Sequence, residues 1–178
     1  MNSCGIIFYG GMESPIGRLT IFASAKGICA LQFGDQDQAL MNVKTKLAKF
    51  SSKLDFVCDE RKVEEAMIQL KEYFSGIRKT FDLPLDLHGT PFQLKVWEEL
   101  SGIAYGKTVS YKDVAAAIGM PKAVRAVGGA NNRNPVPIII PCHRVIGTNG
   151  SLVGYGGGLQ KKEYLLHLEK SPYRRLTS

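Results

Sequence analysis

No apolar run in the sequence approaches the roughly 18 residues that a membrane-spanning helix requires. None of the four cysteines, at positions 4, 29, 58 and 142, pairs with another as C-x-x-C. The first absence argues against a membrane protein. The second argues for free thiols in a reducing, intracellular setting, because a chain with an adequate core needs no disulfide framework. The N-terminal MNSCGIIFYGGMESP lacks a basic segment followed by a long apolar stretch, so no signal peptide is expected. Internal repeats and low-complexity segments are missing as well. What remains is 178 residues, 44% hydrophobic and 22% charged, near globular averages. That is enough for one large domain or two small ones, each with its own core. The expectation is a soluble protein of the cytoplasm, or of the nucleus if the source is eukaryotic.

Acidic residues are scarce in one half only. Residues 1–87 carry 11 basic and 11 acidic side chains, whereas residues 88–178 carry 12 basic and 5 acidic, so the whole excess lies in the second half. Between Lys107 and Arg144, six cations (Lys107, Lys112, Lys122, Arg125, Arg133, Arg144) share the segment with one acid, Asp113. A basic half beside a neutral half is the footprint expected for a polyanion partner. A merely solvated basic face is the plainer alternative, and charge alone does not choose.

Hydrophobic periodicity places the elements. Residues 5–33 hold β-rich runs broken by Gly-Gly, Ser-Pro-Ile-Gly and Lys-Gly, which predicts a three-stranded antiparallel meander. Gln38–Phe50 (Leu40, Val43, Leu47, Phe50) and Val63–Phe74 (Val63, Met67, Leu70, Phe74) repeat at helical steps. Phe81–Leu87 alternates and contains Pro84, consistent with an edge or connecting segment. The boundary is set here, giving an N-terminal α/β domain over 1–87 and a C-terminal, mostly helical domain over 88–178. The fold class is α+β.

The second half opens on Thr90-Pro91-Phe92-Gln93: an N-cap Thr, Pro at the first helical position and Gln at the third form a capping box. Phe92, Val96, Trp97 and Leu100 then make one apolar face, which reads as core. Ser110 caps a short helix that stops at Gly119, and Met120-Pro121-Lys122 turns into a second helix, Ala123 to about Ala130. Helix, short glycine-containing turn and helix is the helix-turn-helix arrangement. The second helix is built from Ala, Val and Gly apart from Arg125. Such a surface is poor at reading bases but brings its backbone close to DNA and presents one cation, favouring backbone and shape contact. Two packed helices of an all-α domain remain the bland alternative.

The run from Asn134 to Val145, NPVPIIIPCHRV, carries the chemistry. Three prolines bracket an apolar stretch that delivers Cys142, followed by His143 and Arg144. Nearby positive charge favours a thiolate, so Cys142 is expected to be held as an anion. Successive residues of an extended chain point opposite ways. Cys142 and His143 therefore exchange a proton only in a bent segment or through a water. A base of this kind needs an orienting carboxylate. Glu169 is the candidate, at the end of a last helix over Gly158–Glu169 whose apolar residues are Leu159, Tyr164, Leu165 and Leu168. A buried structural thiol is the alternative.

PCHRVI, preceded by NPVPIII and followed by GYGGGL (154–159) and KEYLL (162–166), resembles the O6-alkylguanine-DNA alkyltransferases. Ser110-Tyr111 and RAVGGA (125–130) match the same family. The resemblance is close over 90–170 and general over the first 87 residues. It implies a ribonuclease H-like N-terminal domain and a winged helix-turn-helix C-terminal domain, the wing being Val145–Val153 with a turn at Asn149-Gly150. It implies a monomer, without cofactor, acting on double-stranded DNA containing O6-alkylguanine, with O4-alkylthymine a second candidate substrate. Cys142 would accept the alkyl group irreversibly, once per molecule, as a suicide methyltransferase. His143 would take the thiol proton through a water, Glu169 would orient His143, and Asn134 would link recognition helix to active-site turn. Tyr111 would crowd the target phosphate and help protonate the departing guanine. Arg125 would fill the gap left by the flipped nucleotide. Val145, Tyr155 and Gly156 would line the base pocket, and Lys112, Met120 and Thr148 would face DNA.

In some relatives a hydroxyl residue stands at the position of Gly156, which implies a wider pocket here. Some relatives bind zinc in the N-terminal domain, but Cys4, Cys29 and His88 lack ligand spacing, so no metal is expected. A non-catalytic lesion binder, a winged-helix regulator and a cysteine hydrolase are the rival readings. The first lacks the acceptor cysteine, the second needs no reactive thiol, and the third leaves the small-residue helix unexplained.

Overall fold

The structure is a computed structural model that describes residues 5–51 and 53–174. The chain forms two compact units, Met1–His88 and Gly89–Ser178.

In the first unit, β1 (Gly5–Met12), β2 (Leu19–Ser24) and β3 (Gly27–Phe33) make the antiparallel meander that the turn signals predict. A fourth strand, β4 (Leu54–Cys58), pairs parallel with β1, so the sheet is mixed, in the order β3-β2-β1-β4. The connection between β3 and β4 contains α1 (Gln36–Leu47), and α2 (Glu64–Phe74) follows β4. Helix α1 is capped by Asp35, whose carboxylate accepts from the backbone of Asp37 and Gln38. It ends before Phe50, which is exposed rather than part of the apolar face. Ala39, Val43 and Leu47 of α1 pack on Ile7, Phe22, Cys29 and Ala30 of the sheet as one core.

The Pro84 segment docks on β3 by a single bridge, Leu85 to Ile28, with Ile28 N–H donating to Pro84 C=O at 2.8 Å. Gly27 permits that approach: a Cβ there would lie 2.3 Å from the Pro84 oxygen.

In the second unit, α3 (Pro91–Ser101) begins with the expected capping box, Thr90 with Gln93. Its Trp97 is buried and donates from Nε1 to the Ala130 carbonyl at 2.9 Å, fastening α3 to α5 (Val124–Asn132). Ser110 and Asp113 form a second capping box at α4 (Tyr111–Ala117), and Gly119 ends that segment at φ 74°, a conformation that disfavours a Cβ. Thus α4, turn and α5 stand as the sequence arranges them. The rest comprises β5 (Val109–Ser110), paired parallel with β6 (Val145–Ile146), and α6 (Leu159–Leu168). At the expected wing the chain closes tightly, with Gly147 N–H donating to Ser151 C=O at 2.9 Å, and Ser151 then bridges Arg174. Among the described residues no helix is long and apolar enough to cross a membrane.

Candidate active site

The apolar run after α5 folds back on itself instead of extending. Val136, Ile138 and Ile140 are fully buried, and Ile138 adopts φ 76°, a left-handed conformation that a β-branched residue takes only when its surroundings impose it. Asn134 spans the bend: its Oδ1 accepts from Val136 N–H at 3.0 Å and its Nδ2 donates to Ile140 C=O at 2.8 Å. Cys142, His143 and Arg144 follow as one 3₁₀ turn, all buried. Cys142 and His143 therefore lie in a bent segment rather than an extended one.

Glu169, the C-cap residue of α6, reaches that turn. His143 Nε2 lies 2.8 Å from its Oε1, while Arg144 donates Nε to Oε2 at 2.8 Å and Nη2 to Oε1 at 2.9 Å. Gly106 N–H adds a weaker bond to Oε2. Arg144 is itself held by the Ile103 carbonyl and lies over the Tyr105 ring. Burial lowers the pKa of His143 below the ordinary 6.5, against the opposing pull of Glu169. The imidazole is therefore neutral. With Nε2–H donated to the carboxylate, the lone pair resides on Nδ1, which has no hydrogen-bond partner among the described residues.

The expected anionic sulfur is not the resting state. Burial pushes the Cys142 thiol up to about 11, outweighing the Asn134 hydrogen bond and the charge of Lys162, which favour the thiolate. The sequence reading relied on Arg144, but its guanidinium is committed to Glu169.

Tyr111 donates its hydroxyl to the carbonyls of Val153 (2.9 Å) and Gly154 (3.2 Å), and burial pushes its pKa up to about 12. Val145 and Tyr155 are buried, whereas Gly156 is exposed. Lys112, Met120, Arg125 and Thr148 are exposed on α4, the turn, α5 and the turn after β6. Of the three residues considered for zinc, Cys4 lies outside the described residues. Cys29 is buried with Sγ against the Phe22 carbonyl, and His88 sits 3.4 Å from Asp86.

One role and two residues escape the sequence reading. Arg144 clamps Glu169, Asn131 donates Nδ2 to the Cys142 carbonyl at 3.4 Å, and Lys162 is buried with its ammonium on three carbonyls. The signal for Lys162 was its spacing. It stands three, four and seven residues before Leu165, Leu166 and Glu169, and these four make the buried stripe of α6. Leu159 and Tyr164, expected to be on that face, are exposed.

Fold and site together define a two-unit α+β protein in which a buried cysteine adjoins a neutral histidine polarised by a carboxylate. Residues 7–87 match the family model described as 6-O-methylguanine DNA methyltransferase, ribonuclease-like domain, and residues 91–171 match the DNA binding domain of the same description. A methylated-DNA–protein-cysteine methyltransferase from Methanosarcina barkeri is 45% identical, over 94% of this chain and all of its own length. The constitutive enzyme of that name from Bacillus subtilis is 44% identical over 94% and 98%. The crystal structure of Mycobacterium tuberculosis OGT in complex with DNA superposes with a TM-score of 0.79 at 42% identity, covering 93% of this chain and 95% of that one. The chain belongs to the 6-O-methylguanine DNA methyltransferase family.

Proposed function

We propose that the protein removes the methyl or larger alkyl group from O6 of guanine in duplex DNA and keeps it on Cys142 as a thioether, one group per molecule. The carrying observation is the buried turn in which Cys142 adjoins His143, its Nδ1 left open as a base by the bond from Nε2 to Glu169. The thiol proton passes through a bridging water to His143 Nδ1. Sγ then attacks the alkyl carbon. The S–C bond forms as the C–O6 bond breaks, and the electron pair stays on the guanine, which takes up a proton to become the unmodified base. Tyr111 assists that proton return.

The Glu169 carboxylate offsets the positive charge that appears on His143, and Arg144 keeps that carboxylate ionised in a dry setting. A base inside the stack cannot reach a buried sulfur, so the nucleotide is extruded. Arg125 fills its place, Lys112, Met120 and Thr148 track the backbone, and Val145, Tyr155 and Gly156 receive the base. On this reading residues 88–178 bind DNA and transfer the group, while residues 1–87 support them. The protein works where DNA is, in the cytoplasm or, in a eukaryotic source, the nucleus.

Duplex DNA carrying a radiolabelled O6-methyl group tests the reading. Label bound to protein should approach one per molecule and vanish in Cys142→Ser. Repeated turnover, or the absence of protein-bound label, would reject it.

A further inference from the structure

Asn131 is 1% exposed, and the reaction above leaves its side chain unused. It stands in the last turn of α5, which Trp97 fixes through its bond to the carbonyl of the preceding residue, Ala130. Its Nδ2 donates to the Cys142 carbonyl at 3.4 Å. A carbonyl accepts and cannot donate, so this bond sets which way the amide faces and makes Oδ1 the outlying acceptor end. Oδ1 has no hydrogen-bond partner among the described residues. Leaving a buried oxygen without a donor costs stability, and a fold that retains one points to a donor from outside the chain.

The place of the amide says which donor. A base that brings its alkyl carbon to Sγ comes within reach of an amide that touches the carbonyl of the same cysteine. The end of α5 also adjoins the wall of the base site. A Cβ at Gly156 would lie 3.2 Å from the Asn132 carbonyl oxygen, and one at Gly154 would lie 3.3 Å from the Asn132 Nδ2. With O6 alkylated, guanine carries no proton on N1, and its N3 and N7 are acceptors. Its donor is the exocyclic 2-amino group, which lies on the same edge as O6 with N1 between them.

We propose that Asn131 is a specificity residue for the alkyl transfer: its Oδ1 accepts from the 2-amino group of the extruded O6-alkylguanine while Sγ faces the alkyl carbon. The proposal rests on the alkyl-transfer reading and narrows its substrate class. O4-alkylthymine offers N3 and O2 on the corresponding edge, both acceptors, so it leaves Oδ1 without a donor. A site built around a donor rejects the analogue that lacks it, because the unpaired group stays buried. The amide thereby favours guanine over thymine, independently of the width of the pocket at Gly156. The rival role for Asn131 is to hold the Cys142 carbonyl, and with it the sulfur, without reading the base. That role governs transfer from every base equally.

Two nucleosides separate these roles: O6-benzyl-2′-deoxyguanosine and O6-benzyl-2′-deoxyinosine, which differ only in the 2-amino group. Second-order rates of transfer are followed by the benzyl mass on the Cys142 peptide. The wild type should prefer the guanosine roughly twentyfold. In Asn131→Leu, which keeps the bulk and removes the acceptor, the preference should fall to about threefold or less, through a slower reaction of the guanosine. Asn131→Ala gives the same comparison if Asn131→Leu does not fold. Each preference is a ratio within one protein, so a partial loss of folded material cancels.

A wild type that uses the two nucleosides equally overturns the proposal, and this arm needs no variant. A preference undiminished in the Asn131 variants also overturns it, because losses equal on both bases are those of a residue that only holds the sulfur. Absence of benzyl on wild-type Cys142 with either nucleoside removes the transfer reading and the proposal with it, a result distinct from transfer that ignores the 2-amino group.

Discussion

Burial acts in opposite directions on a thiol and on an imidazole, because each is driven toward its uncharged form. Cys142 is pushed up to about 11 and His143 below 6.5, so the pair rests neutral, with Glu169 and Arg144 as an ion pair behind it. On the proposed reading, charge appears only when the proton moves from the thiol toward His143. A stability consequence follows from the sign. The unfolded imidazole binds a proton below about 6.5, and the folded one does so only at lower pH. Unfolding therefore takes up a proton, and stability declines as pH falls through that window, with a slope approaching about 1.4 kcal/mol per pH unit. Urea unfolding between about pH 7.5 and about pH 5 should show this slope, and His143→Gln should flatten it. The residues of this site were legible in PCHRV and Glu169, but their charge states were not. Adjacency in sequence suggested that Arg144 serves the sulfur, and only the fold commits its guanidinium to the carboxylate. Gly156 supplies a second test at this scale. A Cβ there would meet the Asn132 carbonyl oxygen at 3.2 Å, so a side chain fits only if that backbone yields slightly. Gly156→Ser should slow benzyl transfer from duplex DNA about tenfold relative to methyl transfer, and an unchanged ratio of the two rates would leave Gly156 without a part in adduct size.

Elements whose signals are local were readable. Two capping boxes, the meander turns and the Gly119 stop depend on residues within a few positions of one another, and all form. Strand β4 depends on a partner some fifty residues away in β1, and its LDFVC sends Asp55, Val57 and Cys58 to solvent, so neither a turn nor a full apolar alternation announced it. Helix α6 misled for a different reason: two of the four residues on its buried stripe are Lys162 and Glu169, and a hydrophobicity pattern cannot find a stripe that is half charged. The α4–α5 pair carries the prediction at this scale. Arg125 lies exposed in the first turn of α5, among alanines and glycines. If it occupies the gap left by an extruded nucleotide, its loss penalises only the flipped state of a duplex. Arg125→Ala should slow duplex repair by about 2 kcal/mol, roughly thirtyfold, while transfer from free benzylguanine stays within about threefold. Equal losses on both substrates would remove Arg125 from that position.

Across the whole molecule, charge is partitioned as the two units are: residues 1–87 are balanced, and the formal charge of +7 belongs to residues 88–178. Attraction to a polyanion is therefore a property of one unit, and it should be measurable as such. Each phosphate neutralised on binding releases condensed counterions, so the logarithm of the DNA association constant should fall linearly with the logarithm of salt concentration, by about 0.9 per phosphate contact on duplex DNA. Lys112 is exposed on α4, and Lys122 is exposed in the turn before α5. Replacing either with Gln should make that slope shallower by about one. Lys49 and Lys53 are as exposed and as cationic, but they belong to the balanced unit. Their replacement with Gln should leave the slope unchanged. Fluorescence anisotropy of a short labelled duplex, titrated at four or five salt concentrations for the wild type and the four variants, gives the comparison directly. If the Lys49 and Lys53 variants flatten the slope as much as the Lys112 and Lys122 variants do, net charge rather than a defined DNA-facing surface governs the association, and the assignment of binding to the second unit fails.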